Sequence, residues 1–240
     1  MNIRGFRART ALAALAGSLV VMLVGATGAQ AELTKVTGAT TVTPSAQAVQ
    51  FLSANGVSVE PTGPATAANG SFTFPIAAGF GDTQTYEGLL AHKGGLRFSK
   101  GDRSGVLRRF VAVRVGDAAV MLAQVPGLRG GCGQLKRAFH RYAANHPGAR
   151  HKVRWAARHY PRAARKVVRS LRRYCSDGRV IVLATLTNLS KSVQNGTATL
   201  SADLLLAKPA ARLLNRLAGH KAVSAGAPLG SAVSTVTPVP

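Results

Sequence analysis

Acid is the scarcest chemistry in this chain: eight Asp and Glu oppose 31 Lys and Arg over 240 residues, a formal charge of +23. Those eight carboxylates are dispersed, so no pair for glycoside chemistry is suggested. Cysteine is scarcer still. Cys132 and Cys175 are the only two, far apart and outside any CxxC or Cys/His cluster, which excludes a zinc motif. There is no H-E-x-x-H, G-x-S-x-G, P-loop or dinucleotide fingerprint. Gly101-Asp102-Arg103-Ser104-Gly105 comes nearest to a nucleophile elbow, but its serine is one position off, and it reads as a turn. The expected class is therefore non-enzymatic, with no metal site.

A long hydrophobic run is also missing. The apolar stretch Ala11 to Val24 is too short for a comfortable membrane span. Arg4, Arg7 and Arg9 precede it and Ala29-Gln30-Ala31 follows, the pattern of a signal peptide over 1–31 cleaved before Glu32. The expected mature chain is exported, secreted or held at the cell surface. In an oxidising compartment two cysteines usually pair, so a Cys132–Cys175 disulfide is expected. Closing that loop would remove denatured-state entropy equivalent to roughly 4 kcal/mol.

What is abundant is arginine between those cysteines. Residues 132–179 hold fourteen Lys and Arg against the single acid Asp177. Leu135, Phe139 and Tyr142 share one helical face, and Val153, Ala157, Tyr160, Ala164, Val167, Leu171 and Tyr174 recur at spacings of three and four. Asn145-His146-Pro147-Gly148 breaks the two runs, so 132–178 is expected to be an inserted helical hairpin, with a kink at Pro161. Its stripe would pack on the partner helix or the sheet. Arg150, Arg154, Arg158, Arg162, Arg165 and Arg169 would then face outward. Such charge attracts polyanions. For an exported chain these are anionic envelope polymers or a membrane surface, with no specific nucleic acid.

The remainder, 32–131 and 179–240, is expected to form one mainly antiparallel β-domain, sandwich-like, with short peripheral helices. Residues 32–44 are Thr-rich and read as extended or loose. Ser71 to Ile76 alternates at period two, and 84–91, 94–98, 105–115, 118–125, 179–189 and 196–204 are further strand candidates. Helices are expected after Ser45 and after Pro209, and the Val/Thr tail from Ala222 to Val239 would close a sheet. On an unbroken strand Tyr86 and His92 would share a face. They could then serve iron, with Arg97 or Arg109 pairing haem propionates. The alternative is a core-edge tyrosine and a histidine at a hairpin turn.

The run Gly70-Ser71-Phe72-Thr73-Phe74-Pro75-Ile76-Ala77-Ala78-Gly79, with Tyr86-Glu87-Gly88-Leu89-Leu90-Ala91-His92-Lys93-Gly94-Gly95-Leu96-Arg97-Phe98 after it, resembles the HtaA domain of actinobacterial envelope proteins. That resemblance implies a β-rich fold and haem capture at the cell surface. It also implies an iron-ligating tyrosine on the early helix, partnered by a histidine near the glycine-leucine turn. His92 fits the histidine, and Phe51 stands where the tyrosine would be. Two functional expectations follow: capture of haem or a related ligand, or a structural or adhesive role in which the basic insertion docks on anionic polymer or lipid.

Overall fold

The computed structural model describes residues 33–82, 88–115, 118–127 and 178–239. Eleven strands and two helices lie among them: β1 (Leu33–Pro44), α1 (Ala46–Ala54), β2 (Ser58–Thr62), β3 (Thr66–Ala68), β4 (Ser71–Asp82), β5 (Gly88–His92), β6 (Gly95–Lys100), β7 (Arg103–Val115), β8 (Ala118–Val125), β9 (Arg179–Gln194), β10 (Thr197–Leu206), α2 (Lys208–Ala218) and β11 (Pro228–Pro238). Both cysteines and the arginine-rich 132–177 lie outside the described residues.

The sandwich expectation needs correction. Every described pairing is antiparallel, and the chain of pairings β1–β4–β5–β7–β8–β9–β10–β11 returns to β1, so eight strands close into a barrel. Closure removes the free edges that two stacked sheets would leave. Residues 33–44, within the stretch read as extended or loose, are the strand that makes closure possible. They pair with β4 on one edge and with the C-terminal β11 on the other, Val36 opposite Pro238 and Pro44 opposite Gly230. The tail closes the sheet as its Val/Thr alternation implies: Ala232, Ser234 and Val236 are buried and Val233, Thr235 and Thr237 exposed.

One end of the barrel is forked. β5 fills the gap between β4 and β7 only at residues 76–81 of β4 and 111–114 of β7. Below it β4 carries β3, and β7 carries the β6–β2 pair. A bulge in β7 between Arg108 and Val111, with Arg109 at φ 51°, turns the strand at the fork. Gly94 makes the β5–β6 turn, and a Cβ there would lie 2.8 Å from Thr62 O at φ +82°, so glycine is required on both counts.

The two helices stand over this open end. Ser45 caps α1 by accepting from the Ala48 amide, and is tied to the far strand by Ser45 N to Leu229 O at 2.9 Å. α2 ends at Gly219 in the left-handed conformation. Asn215 accepts from the amides of Ala222 and Val223 and donates to Val223 O, each at 2.8 Å. The main core fills the space beneath, with Phe74 and Phe110 edge to face at 4.9 Å.

Candidate functional site

The forked end holds a cavity of about 840 Å3. Its wall is overwhelmingly apolar. Phe72, Phe74, Phe98 and Phe110 come from the strands, Phe51 and Leu52 from α1, and Leu213, Leu214 and Leu217 from α2. Period two explains the strand contribution: Leu96 and Phe98 line the cavity while Arg97 between them is exposed. The volume falls in the range of small-molecule sites, about 300–1,000 Å3. Among the described lining residues there is no carboxylate, thiol, lysine or tyrosine.

Among the described residues, His92 is the one titratable group deep in that wall. It ends β5 at the fork, opposite Ile76, and only 4 % of its surface is exposed. Burial lowers its pKa from 6.5 to about 4, against a smaller opposing effect of the bond to Phe110, so the ring is neutral at physiological pH. Its hydrogen bonds settle the tautomer. Nδ1 lies 3.1 Å from the Phe110 carbonyl, which can only accept, so Nδ1 carries the proton. Nε2 is then a lone pair, and accepts from the Thr40 hydroxyl at 2.7 Å. Having spent its proton there, Thr40 Oγ1 accepts from Ser234 Oγ at 2.8 Å. The chain runs Ser234 to Thr40 to His92 to Phe110, and Thr40, Ser234 and His92 are all buried.

Thr40 and Met121 also line a second cavity, of about 230 Å3, in the other half of the barrel. The Thr40–Ser234 pair therefore stands between two chambers, with His92 facing the larger. Sequence reasoning found His92 but missed Thr40 and Ser234. The available signal was the alternation Val36, Thr40, Val42 in a stretch read as extended or loose, and Ala232, Ser234, Val236 in the tail.

The other candidates are placed as follows. Tyr86 lies outside the described residues. Arg97 and Arg109 are exposed, and neither lines the cavity. The guanidinium groups at its rim belong to Arg103, at the start of β7, and Arg216, in the last turn of α2. Phe51 does face the cavity from the early helix. Gly101 and Asp102 form the β6–β7 turn, as the sequence implies. Among the described residues no group of three His, Cys, Asp or Glu could hold a metal ion. Cys132, Cys175, Arg150, Arg154, Arg158, Arg162, Arg165 and Arg169 lie outside the described residues.

No protein-family model and no curated protein matches this sequence. Solved structures do. The C-terminal domain of HtaA from Corynebacterium glutamicum superposes with a TM-score of 0.52 at 14% identity, covering 85% of this chain and 99% of that one. The N-terminal domain of the same protein gives 0.49 at 12%, covering 85% and 98%, and the heme-binding protein HtaB from the same organism gives 0.45 at 10%, covering 85% and 93%. The likeness to the C-terminal domain is one of fold: this chain has a β-barrel fold like that of the HtaA domain, at low sequence identity.

Proposed function

We propose that this chain is an exported, non-enzymatic binding protein of the cell envelope that captures haem, or a flat apolar molecule of that class, in the cavity at the forked end. The observation that carries the reading is a large apolar chamber with one buried neutral imidazole in its wall. The Phe110 carbonyl holds His92 in the tautomer whose Nε2 lone pair can ligate iron. Engaging it requires the Thr40 hydroxyl to turn away, which costs about 1 kcal/mol, the net worth of one hydrogen bond. Iron ligation is worth far more than that. Arg103 and Arg216 at the rim suit the carboxylates of such a ligand. The described lining is overwhelmingly apolar, which supports the binding of a flat apolar ligand. The N-terminal signal pattern supports export.

Titration of the purified chain with haem tests this. A Soret band that shifts and saturates, and that weakens in His92→Ala, is expected. Haem that stays in its free spectral form with the intact chain overturns the reading.

The charge of residues 132–179 favours a second role, docking on anionic envelope polymer or lipid through Arg150, Arg154, Arg158, Arg162, Arg165 and Arg169. Such binding weakens steeply with salt, because counterion release supplies much of its affinity. It should vanish when residues 132–175 are removed; binding that persists would refute it.

A further inference from the structure

The half of the barrel away from the fork is incompletely filled. Eight closed strands enclose an interior that side chains can just fill, or that can hold one small ligand. In this half Ala112, Ala119, Ala198, Ala202 and Ala232 take lining positions, and the chamber of about 230 Å3 is the space such small side chains leave. Val36, Leu186 and Leu200 are among the larger apolar groups of its wall. An unfilled void costs folding stability, and an apolar one of this order accepts a small aromatic molecule.

The inner end of this chamber is polar in one defined way. Ser234 opposes Thr40 of β1 and Leu200 of β10, lines the chamber and is only 8 % exposed. Its proton goes to Thr40, whose own proton goes to His92 Nε2. Among the described residues the Ser234 hydroxyl makes no further hydrogen bond, so its lone pairs meet no donor. A buried acceptor left so costs free energy, and it marks where the polar atom of an occupant belongs. While Nε2 holds the Thr40 proton this end of the chamber can only accept, so the atom that fits is a donor. Val193, Gly196 and Pro238 also line the chamber and are exposed, which gives it a way in from the β9–β10 turn. Arg114 is the one charged residue among the described lining; it sits one residue before the end of β7 and has a partner of its own.

We propose that this chamber is a second binding site, for a small aromatic or alicyclic molecule that places one N–H or O–H donor on Ser234 Oγ. The inference is independent of what the larger cavity binds, since it needs only the His92 tautomer that the Phe110 carbonyl holds. At about 230 Å3 the chamber is too small for a ligand of the size proposed for the larger cavity, so the two take different classes of molecule.

Indole and indene test this, being nearly the same shape with and without an N–H. Methyl NMR of the full chain reads where each binds, because Val36, Leu186 and Leu200 line only the smaller chamber and Leu213 and Leu214 only the larger. Indole should give saturating shifts and ligand NOEs at Val36, Leu186 and Leu200. Ser234→Ala should weaken indole about fivefold relative to indene, the net worth of one hydrogen bond. Should that variant not fold, Ser234→Cys, close in shape and a poor acceptor, should show the same loss. Ala198→Leu, which fills the chamber without touching the hydroxyl chain, should abolish binding of both compounds there. No response at Val36, Leu186 and Leu200, or a response confined to Leu213 and Leu214, overturns the proposal. So does an indole-to-indene ratio that neither serine variant changes.

Discussion

α1 and α2 flank the same cavity and are held in opposite ways. α2 buries three alanines, Ala210, Ala211 and Ala218, the first two within the main core, where small side chains let the helix backbone approach the strands closely. α1 buries no residue at all. Its apolar face, Ala48, Phe51 and Leu52, is half-buried over the cavity, and Val49 beside it is 53 % exposed. Capping and the bonds from Ser45 to Leu229 and Pro228 hold it in place. α2 is thus a plug that belongs to the core. α1 is a cover whose apolar face would gain a partner from a ligand filling the space beneath it. Filling the cavity should stabilise α1 more than α2.

One substitution made in both helices gives the sharpest break. Ala210→Asp places a carboxylate in a site 1 % exposed, with no cation in that core cluster, and should cost about 3 kcal/mol or more of folding stability. Ala48→Asp sits at the third helical position after the Ser45 cap, where an acid is favourable, so stability should move by less than about 1 kcal/mol. Its charge instead faces the cavity, and affinity for an apolar ligand should fall. Denaturant melts and ligand titrations of the two variants read both effects. Equal destabilisation would erase the distinction between plug and cover.

Protonation of the cavity's deep wall supplies a control that touches neither helix. His92 titrates near 4 in the folded chain against 6.5 unfolded, so the unfolded state binds the proton first as pH falls. The stability conferred by the neutral, buried ring is full above about pH 6.5, falls between 6.5 and 4, and levels off below that window, a total of about 3 kcal/mol. Protonated Nε2 donates to Thr40 Oγ1 instead of accepting from it, so the Ser234–Thr40–His92 chain reverses its direction, with Thr40 donating to Ser234. Melts of the parent and of His92→Gln from pH 7 to 4 should diverge across that range. Parallel curves would show that His92 does not carry the dependence.

Much of this was legible locally. The period-two run that became β4 announced itself, as did the strand candidates that became β7 and β8 and the helices near Ser45 and Pro209. His92 was found because it ends an alternating strand beside a glycine turn. What was not legible was non-local. Barrel closure rests on β1 pairing with a strand nearly the whole chain away, and a Thr-rich run with two glycine-like small residues at its centre gives no local sign of that register. Thr40 meets His92, and Ser234 meets Thr40, only because those distant strands are adjacent, separations of 52 and 194 residues. Arg97 could have been set aside from the sequence: it stands between Leu96 and Phe98, so a strand that turns both inward turns it out.

The rim offers a smaller effect. Arg216→Ala removes a charge from the last turn of α2 at the cavity edge, where it also opposes the helix C-terminal dipole. The stability loss should be about 0.5 kcal/mol. Affinity for a dianionic ligand should drop a few-fold, and the drop should shrink as salt is raised, because exposed charges are screened. A dependence on Arg97 instead, with none on Arg216, would move the mouth of the site to the outer side of β6.

The finest test concerns the cap of α1. Ser45 Oγ accepts from the Ala48 amide at 3.1 Å and donates to Pro228 O at 2.9 Å, so one hydroxyl both starts the helix and ties it to β11. Ser45→Ala loses both, about 1 kcal/mol by the usual worth of a cap. Because α1 has no buried residue of its own, that loss should appear as local opening and not as global unfolding. Hydrogen exchange should therefore quicken at the amides of α1, while those of α2 and the barrel strands keep their protection and the denaturant midpoint barely moves. Ligand in the cavity should restore the protection of α1, since the ligand supplies the contacts that the helix otherwise lacks. If α2 amides quicken in step with those of α1, the two helices open as one unit and α1 is part of the core after all.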